Sequence, residues 1–157
     1  MITKILVGVD GSENSEKALD YALEIAEKFS ASVHILNVFQ PPPESGYQLN
    51  MFQQTSASGS AGEQMGYQSN MASFIRDLRK VHEAVLFRAT ERATKLKPTL
   101  IITAELKEGD TSSQIVETAA NGQFDIIVVG HRGTAKSKNS FLATQVKELS
   151  TRQNAQC

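Results

Sequence analysis

The segment Ile126-Ile-Val-Val-Gly-His-Arg-Gly133 constrains the fold more than any other part of the chain. A strand with one face in water alternates apolar and polar residues. The run from Ile126 to Val129 is apolar throughout, so it reads as a buried strand of a parallel sheet. It ends in Gly130 and Gly133, and Thr134, Lys136, Ser137, Lys138 and Ser140 follow. Glycines let backbone N–H groups approach an anion closely, and the N-terminus of a following helix adds positive potential. The stretch therefore reads as a strand that delivers an anion-binding loop to the carboxyl edge of a sheet. Gly-x-x-Gly alone is a weak signal, and its weight comes from a second site near the other end of the chain.

There, Ile5-Leu-Val-Gly-Val-Asp-Gly-Ser12 is another β-branched apolar run, closed by Asp10, Gly11 and Ser12. Asp10 falls just past a strand end, where open α/β sheets bind ligands. Two readings of it are open. Its carboxylate can accept hydrogen bonds from ribose hydroxyls, or it can shape the turn by bonding the backbone two residues on.

Strand and helix patterns alternate between these two sites, which predicts an α/β fold with a largely parallel sheet. Strands are expected at Lys4–Val9, Ser32–Phe39, Leu100–Leu106 and Phe124–Val129. A first helix, capped by Ser12 with Glu13 and Glu16 in its first turn, would bury Ala18, Ala22, Ile25, Ala26 and Phe29. A second, from Ala72 to Leu96, carries Ile75, Leu78, His82, Val85, Leu86, Ala89, Ala93 and Leu96 on one face. His82 within that stripe reads as a half-buried, hydrogen-bonded core histidine rather than a catalyst. Asp110 caps a third helix, with Ile115, Val116 and Ala119 inward and Asn121-Gly122 closing it. A last helix is expected from Ser140 to Ser150. Residues 40–70 are rich in Gly, Ser, Gln and Pro and read as one long surface loop.

With 157 residues the chain is expected to form a single domain over 1–157. Sixteen basic against seventeen acidic side chains, a formal charge of -1, argue against a general nucleic-acid or membrane-surface binder. The sequence holds no apolar run of membrane-spanning length, and the N-terminus shows no signal-peptide pattern, so a cytoplasmic location is expected. The one cysteine, Cys157, leaves no intramolecular disulfide to form.

Several chemistries find no support. His34, His82 and His131 match no zinc spacing, no G-x-S-x-G elbow occurs, and neither GxxxxGK[ST] nor G-x-G-x-x-G is present. The chain offers binding groups without a catalytic set or a metal cluster.

These residues together resemble the universal stress protein family across nearly the whole length. Lys4-Ile-Leu-Val-Gly-Val-Asp-Gly-Ser-Glu-Asn-Ser15 is similar to its first strand and loop, and Val33-His-Ile-Leu-Asn-Val-Phe39 to its second strand. Val128-Val-Gly-His-Arg-Gly133 is similar to the start of its nucleotide motif, G-x2-G-x9-G-[ST]. The resemblance implies a Rossmann-like open sheet with helices on both faces and a tendency to homodimerise. It also implies ATP as ligand, with AMP or ADP as alternatives and Mg²⁺ held through the phosphates. Asp10 would contact the ribose, and the backbone near Val9 and Val38 the adenine. Gly130, Arg132 and Gly133 would lie along the phosphates, with Thr144 offering a hydroxyl and an N–H to the distal ones. His131 is implied to be a loop residue without a catalytic role. Lys136 and Lys138 either pair with phosphate or remain solvated.

Two departures accompany the resemblance. Ala143 stands where the motif has its third glycine, which puts phosphate affinity in question. The chain also stops at Cys157, about where the family's fifth strand would begin, so that strand and the dimer edge it builds are expected to be absent. The function implied is a nucleotide-responsive stress module with at most slow ATP hydrolysis. The alternative is a nucleotide-free interaction module of the same fold.

Overall fold

The computed structural model describes residues 1–42, 62–130 and 141–145. Among these, strands β1 (Lys4–Gly8), β2 (Ser32–Phe39), β3 (Ile102–Glu108), β4 (Ile126–Gly130) and β5 (Phe141–Gln145) alternate with helices α1 (Glu13–Phe29), α2 (Gly62–Leu96) and α3 (Thr111–Asn121). One sheet holds all five strands in the order β3-β2-β1-β4-β5. The pairings β1–β2, β1–β4 and β2–β3 are parallel, and β4–β5 is antiparallel. This is an α/β, Rossmann-like, mostly parallel open sheet.

Both faces of the sheet are covered, as the unbroken apolar runs require. On one face Ile5, Val7, Val33, Ile35, Ile126 and Val128 meet Ala18, Leu19, Ala22, Leu23 and Ala26 of α1, with Ala93 and Ala89 of α2 closing the layer. On the other, Leu6, Leu36 and Ile127 meet Ala119 and Ile115 of α3. Small alanines on α1 allow the helix to approach the sheet closely, and the leucines beside them fill the gaps between strands. Phe29, expected in that stripe, is 49% exposed. It is the last helical residue, and Ser30 (φ 53°) turns the chain away through a left-handed cap. Leu96, at the end of α2, is exposed for the same positional reason.

Two further expectations are corrected. α2 begins at Gly62, so the last part of the segment read as loop is helical; residues 43–61 lie outside the described residues. Extending a formed helix costs little per residue even through poor formers, because the expensive step is nucleation. Second, Phe141–Gln145, expected within a helix, is a strand; residues 146–150 lie outside the described residues. Pairing with β4 satisfies backbone groups that would otherwise form an open sheet edge. The sheet thus has a fifth strand, though antiparallel and drawn from an unexpected segment. Asn121-Gly122 closes α3 as expected: Gly122 is the cap, with φ -82°, and Gln123 after it is left-handed (φ 53°).

Candidate functional site

The strand order reverses direction beside β1. The β1–α1–β2 connection runs to one side and the β3–α3–β4 connection returns to the other, so the carboxyl ends of β1 and β4 splay around a crevice. The register pairs Gly8 with Val129, which brings Val9, Asp10 and Gly130 to the same edge. A cleft of about 390 Å³ opens there, bordered by Val9, Asp10, Val38, His82, Thr111 and Gly130 among others. Thr111 opens α3, and Ser15 in the cleft wall belongs to the first turn of α1, so two helix N-termini border it. A smaller cavity of about 100 Å³ lies between α1 and α2 and shares Val9 and Ser15 with the cleft.

Asp10 shapes the turn that follows it, one of the two readings open for it. Its Oδ1 accepts from the Ser12 N–H (2.9 Å) and from the Ser12 hydroxyl (2.6 Å). Ser12 then caps α1, its Oγ accepting from the Ser15 N–H at 3.2 Å. The Ser15 hydroxyl donates to Ser12 O at 2.8 Å and accepts from the Asp10 N–H at 3.3 Å. Gly11 between them has φ +82°, a conformation glycine adopts at little cost. The turn reading of Asp10 is therefore seen directly, and it leaves the carboxylate on the cleft wall.

Val9 is engaged through both backbone groups. Its N–H donates to Leu36 O at 2.9 Å, and its C=O accepts from Asn37 Nδ2 at 2.9 Å. Asn37 is fully buried on β2, and its Oδ1 lies 2.7 Å from His82 Nδ1. The Phe39 ring sits 5.7 Å from the His82 ring, tilted by 35°, and the Arg79 guanidinium lies over that phenylalanine at 5.9 Å. Burial pushes the His82 pKa down, with Asp10 pulling the other way. Asn37 was not singled out in the sequence. The only signal was a polar residue on the strand face that otherwise carries Val33, Ile35 and Phe39.

Gly130 serves packing in a way the sequence did not reveal. A Cβ there would come within 2.7–2.8 Å of backbone atoms of Asn14 and Ser15, so the glycine lets β4 abut the first turn of α1. His131, Arg132, Gly133, Lys136 and Lys138 lie outside the described residues. Ala143 and Thr144 are not brought to the carboxyl edge with Gly130. They pair with Val128 and Ile127, because β5 runs antiparallel and each residue after Phe141 moves further from that edge. The structure thus assembles Val9, Asp10, Val38 and Gly130, and adds His82 and Asn37.

The universal stress protein family model matches residues 1–147. The chain belongs to the universal stress protein family. Universal stress protein YxiE of Bacillus subtilis is 27% identical over 156 residues, which cover 96% of this chain and 95% of that one. Among solved structures, a universal stress protein in complex with cAMP aligns with a TM-score of 0.57 at 23% identity, covering 96% of this chain and 90% of that one. A universal stress protein family protein from Arabidopsis thaliana with AMP bound aligns at 0.52 and 18% identity, covering 85% and 79%. These structures share the fold of this universal stress protein.

Proposed function

We propose that this universal stress protein binds an adenine nucleotide at the carboxyl-edge cleft and acts as a nucleotide-responsive regulatory module. The observation that carries the reading is the cleft itself, about 390 Å³ at the β1/β4 crevice with Asp10 on its wall. Its position is where open α/β sheets take nucleotides, and its volume falls in the range of small-molecule sites. Structures of the same fold complexed with cAMP and AMP add support.

In this proposal Asp10 receives the ribose, and Val9 and Val38 border the base. ATP is the expected ligand, with AMP or ADP as alternatives. Among the described residues no cluster of three His, Cys, Asp or Glu side chains is placed to hold a metal ion, so Mg²⁺ would arrive with the phosphates. The protein is proposed to act as a binder rather than an enzyme, and turnover of about 1 per second or faster would overturn that part. A cytoplasmic homodimer completes the proposal. Among the described residues no helix is long and apolar enough to cross a membrane.

Calorimetric titration of nucleotide-stripped protein with ATP, AMP and cAMP, with and without Mg²⁺, tests the reading. Micromolar binding, about -8 kcal/mol, weakened by Asp10→Asn, is the expected result. The asparagine keeps an oxygen for Ser12 while removing the charge. No heat at millimolar nucleotide would favour the interaction module instead. The displacement of Thr144 from the edge is the observation on that side.

A further inference from the structure

We propose that His82 contacts the ligand directly, its Nε2 accepting a hydrogen bond from a ribose hydroxyl, so that the cleft selects a vicinal diol over a deoxyribose. The proposal rests on the nucleotide reading above and deepens it.

The tautomer follows from Asn37. Its Nδ2 donates to the Val9 carbonyl at 2.9 Å; the reversed amide would set its oxygen against another oxygen. Oδ1 is therefore the atom facing His82 Nδ1 at 2.7 Å, and an amide oxygen only accepts. Hence Nδ1 carries the hydrogen. Burial outweighs the pull of Asp10 and holds the imidazole below its ordinary pKa, so at neutral pH the other nitrogen, Nε2, presents a lone pair. Among the described residues Nε2 makes no hydrogen bond, while His82 lines the cleft with Asp10. The contact with Phe39 restrains the ring plane.

A vicinal diol brings two hydroxyl donors. Asp10 and His82 line the same cleft, so a nitrogen lone pair there offers the second hydroxyl an acceptor apart from the carboxylate. The neutral imidazole supplies it. α2 thereby takes part in recognition, although the motifs of the chain fall on strand ends and the loops after them. Asn37 is the positioning residue: it fixes which nitrogen faces the ligand.

The test compares ATP with 2′,3′-dideoxy-ATP on the wild-type protein and on His82→Asn. Asparagine retains a donor at the position of Nδ1 for Asn37 but has nothing at Nε2. Wild type is expected to prefer ATP about tenfold or more, an amount equivalent to one or two hydrogen bonds. His82→Asn should weaken ATP about five- to tenfold while leaving dideoxy-ATP nearly unchanged. Equal loss for both ligands, or no loss for either, overturns the role of His82 while the nucleotide reading stands. Failure of wild type to bind ATP at all overturns both.

A second measurement does not depend on the variant folding. Ring ¹⁵N shifts of His82 should show a protonated Nδ1 and a bare Nε2 in the free protein. The Nε2 resonance should move on adding ATP and not on adding dideoxy-ATP. A protonated Nε2 in the free protein, or identical responses to the two ligands, overturns the assignment.

Discussion

Gly130 abuts the backbone of Asn14 so closely that a Cβ on the glycine would lie 2.7 Å from the Asn14 carbonyl carbon and 2.8 Å from its oxygen. The neighbours are main-chain atoms of a helix seated on the core, and they cannot rotate out of the way. Gly130→Ala should therefore lower stability by about 1–3 kcal/mol, as overpacking does. The same shift would move the first turn of α1 and the Asp10 turn attached to it, so nucleotide affinity should fall too. Denaturant unfolding gives the first number and calorimetry the second. A wild-type midpoint would show that the close approach is not rigid.

Asn37 ties three elements together: its own strand β2, the end of β1 through Val9, and α2 through His82. Asn37→Ala leaves the Val9 carbonyl with one partner fewer and the His82 Nδ1–H without its acceptor. The expected loss is about 1–3 kcal/mol per group left unsatisfied. Chemical denaturation with unchanged m-value would measure it. A loss under about 0.5 kcal/mol would mean that water replaces the amide without cost.

What the sequence made legible was local. The bounds of β2, the Ser12 and Asp110 caps, and the alanine stripe of α1 follow from residues within a few positions of one another. The convergence of Asp10 and Gly130 was legible too, because both close apolar runs that a parallel sheet must align. The Asn37–His82 bond spans 45 positions, and neither residue signals the other. β5 was illegible for a different reason. Phe141 to Gln145 suits either state alone, and the open edge of β4 decides. The start of α2 was missed because propagation from Ala72 back to Gly62 depends on the helix already formed.

His82 makes stability depend on pH. Its folded-state pKa is lowered from 6.5, so below that value the unfolded chain binds more protons than the folded one. The neutral histidine therefore contributes stability that is fully present above about pH 6.5 and is lost as pH falls through the lowered folded value. Asp10 opposes the shift, so Asp10→Asn should lower the folded pKa further and steepen the loss. Unfolding curves from about pH 8 to about pH 5 for wild type and His82→Asn isolate the effect by difference. A difference that does not change with pH would show that His82 titrates alike in both states. The Asp110 carboxyl, lowered from 3.8 chiefly by the Ser113 N–H, acts in a separate window at lower pH.

Arg92 clamps Asp20 with Nε at 3.0 Å and Nη2 at 2.7 Å, joining α2 to α1 across 72 positions. Both side chains are substantially exposed, 45% and 39%. Solvent screens the pair, and a double-mutant cycle should return about 0.2–1 kcal/mol despite the bidentate geometry. Repeating the cycle at about 1 M salt should shrink it, since the screening length is then about 3 Å. A coupling above about 2 kcal/mol that ignores salt would assign the clamp a larger structural part than its exposure allows.

Gly11 stands between Asp10 and the α1 cap with φ +82°, and a Cβ there would lie 3.1 Å from Val85 Cγ2. Two costs follow for Gly11→Ala, and they can be separated. The left-handed backbone costs an alanine about 1 kcal/mol wherever it occurs. The contact with Val85 adds to this only while the valine keeps its full shape. In a Val85→Ala background the contact is relieved, so the cost of Gly11→Ala should fall to about the conformational value. The cycle should accordingly show coupling of about 0.5 kcal/mol or more. Strict additivity would mean that the turn relaxes on its own, carrying Asp10 with it. In that case the nucleotide affinity of Gly11→Ala should drop while its coupling to Val85 stays near zero. If affinity and stability both survive the substitution, the turn tolerates a side chain and the glycine does not set the position of Asp10.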